Sequence, residues 1–215
     1  MLRTSLSATL LLATPCWAMR LPPSAAVAQR SARSSAPLLI ATDTASAKET
    51  LLSACEAAAM GRNRSERPLV RLRFQQLEEQ NPTPKPLEAP DLLSGCWRLV
   101  YTTSDSILGT TRPRLFKPRP RILQSISVDK LAAKNEEWVL RGLLKNSVRA
   151  ALTPRDDGRT VDVQFKRFGI GWLRIPAPAS AKGVLETTYL DDTLRLSRGD
   201  KGNLFVLVKD GPSRV

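Results

Sequence analysis

Apolar and polar positions alternate in short runs through the second half of the chain, and the pattern is densest from Leu185 to Leu207. Val184 to Tyr189 is rich in Thr, Tyr and apolar residues. Thr193 to Ser197 places Leu194 and Leu196 on one face and Arg195 on the other, and Leu204 to Val208 is apolar on both sides. A period of two is the signature of a β-strand. Asp191-Asp192 and Gly199-Asp200-Lys201-Gly202-Asn203 separate these runs and supply the positive φ and side-chain-to-backbone bonds that tight reversals need. Three strands on short turns predict an antiparallel meander, which needs the rest of the chain to cover or close it.

Upstream, the same reading predicts strands over Ser94 to Thr103, Ile122 to Val128, Glu137 to Leu143, Ser147 to Leu152 and Thr160 to Phe168. In the first, Trp97, Leu99 and Tyr101 share a face. Asp156-Asp157-Gly158 marks a hairpin turn before the last. The total of about eight short strands with even turn spacing predicts a sandwich or barrel. A closed barrel suits the alternation with one polar face, because closure removes exposed edges. Such a barrel has an interior that side chains fill or that holds one small ligand. Ahead of it, Ser46-Ala47-Lys48-Glu49 reads as a capping box, Leu52, Cys55 and Ala59 follow at helical spacing, and Gly61 is a stop. Ser65 with Pro68 opens a second helix whose Val70, Phe74 and Leu77 share a face, ended by Asn81-Pro82-Thr83-Pro84-Lys85-Pro86. The expected fold is mainly β: an antiparallel barrel of about eight strands over residues 83–215, preceded by one or two α-helices over 46–82 that pack on it.

Composition narrows the chemistry. The chain has 215 residues, enough for one domain plus a targeting sequence, and 42% of them are hydrophobic. Histidine is absent, which removes Ser-His-Asp, Cys-His and His-zinc chemistry together. Cys16, Cys55 and Cys96 are odd in number and far apart, and suggest neither a disulfide framework nor a metal site. Adjacent Asp191 and Asp192 read as turn caps rather than paired catalytic carboxylates, and Arg198-Gly199-Asp200 as a turn. No cofactor is expected. The net charge of +13 suggests an anionic partner, with lipid head groups and nucleic acid as the two classes.

The amino-terminal segment reads as targeting sequence. Residues 1–18 have a basic start at Arg3, an apolar core from Leu6 to Ala13, and a small-residue end at Cys16-Trp17-Ala18, as in a secretory signal. Residues 19–45 are rich in Ala, Ser, Arg and Pro with no acid before Asp43, which is transit-peptide composition. A signal followed by a transit peptide resembles the two-part presequence of algae whose plastids lie inside extra membranes. Plain secretion is the alternative, and Asn63-Arg64-Ser65 matches a glycosylation acceptor.

Three pieces of the chain resemble the plastid-lipid-associated proteins, or fibrillins, of plastoglobules and thylakoids: Asn81-Pro82-Thr83-Pro84, the run from Leu93 through Gly95-Cys96-Trp97 to Ser104, and the whole of Leu185 to Leu207. They bracket roughly residues 47–209. The resemblance implies a lipocalin-like barrel, with Gly95-Cys96-Trp97 as the Gly-x-Trp of its first strand and Arg195 or Arg198 packed over Trp97. It implies binding of apolar plastid molecules (isoprenoid, quinone, carotenoid or acyl lipid), docking on a plastoglobule or thylakoid surface, and no enzyme activity. Two further roles remain open: partner of a prenyl-lipid biosynthetic enzyme, or coat of lipid droplets without an internal ligand.

The candidate ligand-pocket residues are Trp97, Tyr101, Phe165 and Tyr189, with Arg195 and Arg198. Filling a solid core is the alternative for each ring. The basic stretch Arg112-Pro113-Arg114-Leu115-Phe116-Lys117-Pro118-Arg119-Pro120-Arg121 is extended by its prolines. Its cations Arg112, Arg114, Lys117, Arg119 and Arg121, each contributing about 1 kcal/mol at an anionic surface, and its Leu115 and Phe116, make a candidate membrane-surface loop. Trp172, in Gly169-Ile170-Gly171-Trp172-Leu173, is a second candidate tip. Nucleic acid is not expected, because no aromatic platform or recognition helix accompanies the charge.

Overall fold

This computed structural model describes residues Thr44–Val215. The expected signal segment (1–18) and nearly all of the transit-like segment (19–45) therefore lie outside the described residues. Two helices come first, α1 (Thr44–Ala57) and α2 (Arg67–Glu78), joined by two 3₁₀ turns. The short helix α3 (Pro90–Leu93) leads into β1 (Gly95–Thr102), and α4 (Asp105–Leu108) follows it. The remaining strands are β2 (Leu123–Ser127), β3 (Ala132–Val139), β4 (Leu144–Pro154), β5 (Thr160–Ile170), β6 (Leu173–Pro176), β7 (Lys182–Leu190), β8 (Leu194–Gly199) and β9 (Leu204–Gly211).

The sheet runs β4-β3-β2-β1-β9-β8-β7-β5, and β4 also pairs with β5. Every pairing is antiparallel. Eight strands thus close into a barrel, as the alternation and turn spacing predicted. The ninth, β6, covers the carboxyl-terminal half of β5, from Arg167 to Ile170, whose edge β7 leaves free.

Three boundaries differ from the sequence pattern. The helix begins at Thr44, where Thr44 Oγ1 meets Gln80 Oε1 at 3.0 Å, so Ser46 lies inside α1 and forms no capping box. The strand expected over Glu137 to Leu143 is instead Ala132–Val139, because Leu140, Arg141 and Gly142 all adopt positive φ and turn the chain. Residues 173–176 form a strand where only a tip was expected.

Two apolar layers hold the fold. The outer one joins α1 and α2 to the barrel wall: Leu51, Cys55, Val70, Phe74 and Leu77 pack on Tyr101, Tyr189, Leu194, Leu196, Leu204 and Val206. Each fully buried aliphatic or Phe side chain here contributes about 1.5–3 kcal/mol of transfer free energy. Ion pairs fix the helices in register. Lys48 Nζ donates to Asp191 Oδ2 at 2.7 Å, and Arg198 Nε donates to Glu78 Oε1 at 2.8 Å, while its Nη2 donates to the other carboxylate oxygen. The second layer, with Leu93, Trp97, Leu99, Ile126, Ala133, Leu190 and Leu207, lines and closes one end of the barrel.

Candidate functional site

Pleating decides what the interior contains. Along β8 and β9, Arg195, Ser197, Phe205 and Leu207 point into the barrel, while Leu194, Leu196, Leu204 and Val206 point out under the helices. The polar face of this meander is therefore the inner one, and the apolar face meets the helices. Two of the four register shifts in the barrel ladders decide where the tyrosines face. The register of β1 on β9 shifts between Leu99 and Tyr101, and that of β7 on β8 between Thr187 and Tyr189. A bulge inserts one residue and flips the face of those that follow. Leu99 and Thr187 consequently face cavities, whereas Tyr101 and Tyr189 face α1 and α2.

The interior is hollow. A cavity of about 440 Å³ lies among Leu99, Leu123, Val148, Phe165, Phe168, Leu185, Phe205 and Leu207, within the roughly 300–1,000 Å³ of ligand pockets. Phe165 and Phe168 stack, with ring centroids 6.4 Å apart. Ser106, Ile107, Arg112, Lys182, Asp200 and Lys201 rim this cavity, and they sit on α4 and the loop after it, at the start of β7 and between β8 and β9. A smaller cavity of about 120 Å³, lined by Leu87, Leu93, Ile126, Leu131, Ala150 and Leu152, lies at the opposite, plugged end. Gln124, Asn135, Val148, Val163, Phe165 and Leu185 border both.

Arg195 lies across the plug. It is wholly buried, its guanidinium carbon is 5.1 Å from the Trp97 ring centroid, and its Nη2 donates to Gln124 Oε1. Burial pulls its pKa down to about 9. Lys209 Nζ is 4.5 Å from the same indole centroid and donates to Leu92 O and Ser94 O, both at 2.7 Å. Trp97 Nε1 donates to Leu93 O at 2.9 Å. Asn146 Oδ1, Arg195 Nε and Nη1, and Ser197 Oγ are buried with no hydrogen-bond partner among the described residues, and these three residues all line the larger cavity.

Around the mouth the surface is greasy and basic. Trp172 is 90% exposed on the β5–β6 turn and Leu143 is 89% exposed on the β3–β4 turn. Gly171 N donates to Lys145 O at 2.9 Å, which holds the two turns together. Arg119 N donates to Trp138 O at 2.8 Å and so brings the basic stretch against the β3–β4 turn. Leu115, Phe116, Ile170 and Leu173 add to the apolar surface. Arg112 turns away from it to pair with Glu137 at 2.7 Å, and Arg121 pairs with Asp210 at 3.4 Å. No carboxylate pairs with Arg114, Lys117, Arg119 or Arg141 among the described residues.

A family model, PAP_fibrillin, matches residues 45–208. The chain belongs to the PAP_fibrillin family. Among relatives, it is similar to the probable plastid-lipid-associated protein 5, chloroplastic, of Arabidopsis thaliana: 38% identical over 167 residues, covering 75% of this chain and 68% of the relative. It is 31% identical to plastoglobulin-1, chloroplastic, of Pisum sativum, covering 64% of this chain and 53% of that protein. It is also 31% identical to the chromoplast-specific carotenoid-associated protein, chromoplastic, of Cucumis sativus, covering 64% and 59%. Beyond the first of these, the chain spans little more than half the length of the relatives it matches. No solved structure matches.

The motifs that carry the PAP_fibrillin resemblance have structural work in this barrel. Asn81 Oδ1 accepts from Leu190 N at 3.1 Å and from Thr83 N at 3.0 Å, and so pins the helix exit to β7. Gly95 sits at φ +148°, with the Lys209 side chain where a Cβ would stand. Asp191 caps its turn, accepting from Thr193 N and Leu194 N at 2.8 and 2.7 Å. Burial alone would raise its pKa, but hydrogen bonds from Lys48, Tyr189 and that backbone outweigh it and hold the carboxyl at about 2. Asn63 likewise caps a 3₁₀ turn, accepting from Ser65 N at 3.3 Å.

Of the six candidate pocket residues, Phe165 and Arg195 border the cavity. Trp97 plugs the end, with Arg195 rather than Arg198 packed over it. Tyr101 and Tyr189 lie outside the barrel because of the bulges. Arg198 points outward, 5.2 Å from the Phe74 ring centroid. Sequence reasoning missed Ser197, Gln124 and Asn146 inside, and Leu143 at the rim. It also missed Arg149, Arg167 and Arg174, which surround Gly169 and Ser147 in a small cleft. The alternation that gives Leu194 and Leu196 one face gives Arg195 and Ser197 the other, so the signal for Ser197 was present.

Proposed function

We propose that this protein carries one hydrophobic small molecule inside its barrel and docks mouth-first on a plastid lipid surface, without catalysing a reaction. The observation that carries the reading is the apolar cavity of about 440 Å³, whose rim adjoins exposed Leu143 and Trp172 and unpaired cations. Burying apolar ligand surface gains about 25 cal/mol per Å², and a few polar groups at one end suffice for orientation. A mouth beside inserting side chains lets a lipid pass from leaflet to barrel without crossing water. Membership of the PAP_fibrillin family and chloroplastic and chromoplastic relatives support a plastid location and a lipid-related role.

The test is to incubate the purified protein with vesicles of plastid lipids, re-isolate it, and identify bound lipid in a solvent extract by mass spectrometry. The wild type retains about one lipid per chain. Val163→Trp, at a position bordering both cavities, retains none while remaining folded by circular dichroism. A folded wild type that returns empty refutes carriage.

A further inference from the structure

We propose that the larger cavity selects a long-chain carboxylate, its acid head seated on Arg195 and Ser197 and its hydrocarbon running past Phe165 and Leu207 toward the mouth. This rests on the carrier reading and adds to it the chemical class of the ligand.

The case begins with an unmatched charge. Arg195 exposes none of its surface, and no Asp or Glu pairs with it among the described residues. A buried cation without a counter-ion is costly, and proteins ordinarily pair it. Among the described residues its only acceptor is the neutral Gln124 amide oxygen. Its Nε and Nη1 have no acceptor among those residues, and Nη2 keeps a second hydrogen beyond the one given to Gln124, so one fork of the guanidinium is free. Ser197, two residues along the same strand and on the same face, has an equally unpartnered hydroxyl, and both residues line the cavity. Unmatched donors from two neighbouring inward positions of one strand therefore border an otherwise mainly apolar space.

The donor set selects among anions. A guanidinium edge matches the two oxygens of a carboxylate side by side, and the Ser197 hydroxyl can complete its hydrogen bonding. The neighbouring cation, Lys209, is already committed to Leu92 O and Ser94 O. One free cationic edge neutralises one negative charge, so a diphosphate head would stay under-neutralised among Leu99, Phe165 and Leu207. A neutral quinone, ester or hydrocarbon would leave Arg195 as it stands, charged and unmatched.

The experiment compares palmitate with methyl palmitate and hexadecyl phosphate, measured on the full chain at pH 8 by displacement of a fluorescent apolar probe. Palmitate binds about tenfold to a hundredfold tighter than the ester, the gain of hydrogen bonds to a charged group, and tighter than the phosphate. Arg195→Gln abolishes the preference, so that palmitate binds no tighter than the ester. Should that variant fail to fold, Ser197→Ala narrows the preference, and the wild-type comparison decides without any variant. Equal binding of acid and ester, or a preference for the phosphate, overturns the carboxylate assignment while leaving carriage intact. Displacement by none of the three overturns carriage itself.

Discussion

Replacing Leu143 and Trp172 by Ser separates two sources of membrane affinity that the surface offers side by side. An indole carries about 200 Å² of buriable surface, worth about 5 kcal/mol on full burial at about 25 cal/mol per Å², and a Leu side chain adds about 2 kcal/mol. Side chains at the head-group boundary are immersed only part-way, so about half of this, about 3.5 kcal/mol, is the expected loss, or a few hundredfold in partitioning. Arg114, Lys117 and Arg119 contribute about 1 kcal/mol each on an anionic surface, a similar total. Salt distinguishes the two, because the Debye length shrinks to about 3 Å at 1 M. In sedimentation with anionic vesicles, the wild type weakens at high salt but stays bound through its tips. The double Ser variant binds only at low salt, and reversal of the three cations removes only the salt-sensitive part. Arg112 and Arg121 behave differently, since their partners Glu137 and Asp210 are in the fold, and their reversal costs stability. A double Ser variant that binds like the wild type at 1 M salt refutes insertion at this end of the barrel.

Other outcomes follow from the packing. Asp191 has a folded pKa of about 2 against 3.8 for a free aspartate, so its contribution of about 2 kcal/mol is complete above pH 4 and is lost as pH falls toward 2; Asp191→Asn, measured by urea unfolding at pH 7, shows a loss of that order and flattens the acid limb. Gly61→Ala puts a Cβ 2.0 Å from Thr102 O at φ +98°, and calorimetry shows a destabilisation of about 2 kcal/mol or more. Burial pushes the Cys55 thiol up to about 12, so a thiol reagent at pH 8 labels it only when α1 leaves the barrel, and Lys48→Ala, which breaks the Asp191 pair, raises that labelling rate severalfold. Labelling of Cys55 at the rate of an exposed thiol in the wild type contradicts the docking of α1.

Period-two alternation made the strands legible, and the pairs Asp-Gly and Gly-Asn located their turns, because both signals are local. Val70, Phe74 and Leu77 announced the buried face of α2 for the same reason. What alternation could not give was which face is inside. Leu194 and Leu196 invite an inward reading, yet the helices cover them and leave Arg195 and Ser197 within. Tyr101 and Tyr189 change sides at bulges that depend on the partner strand and have no mark of their own. Leu140, Arg141 and Gly142 end β3 through positive φ at two residues that ordinarily avoid it. The mouth joins the turn at Leu143, the turn at Trp172 and the basic stretch, which are far apart in sequence and meet only through Gly171 N to Lys145 O and Arg119 N to Trp138 O.

Photolabelling tests the hollow barrel most directly. A long-chain lipid with a photoactivatable group along its hydrocarbon is presented in vesicles, irradiated with the protein, and the adducts are mapped by peptide mass spectrometry. Adducts on inward residues such as Val148, Val163, Phe165 and Leu207 are the expected result. Adducts confined to Leu143, Trp172 and their neighbours would show a protein that coats lipid surfaces and takes nothing inside.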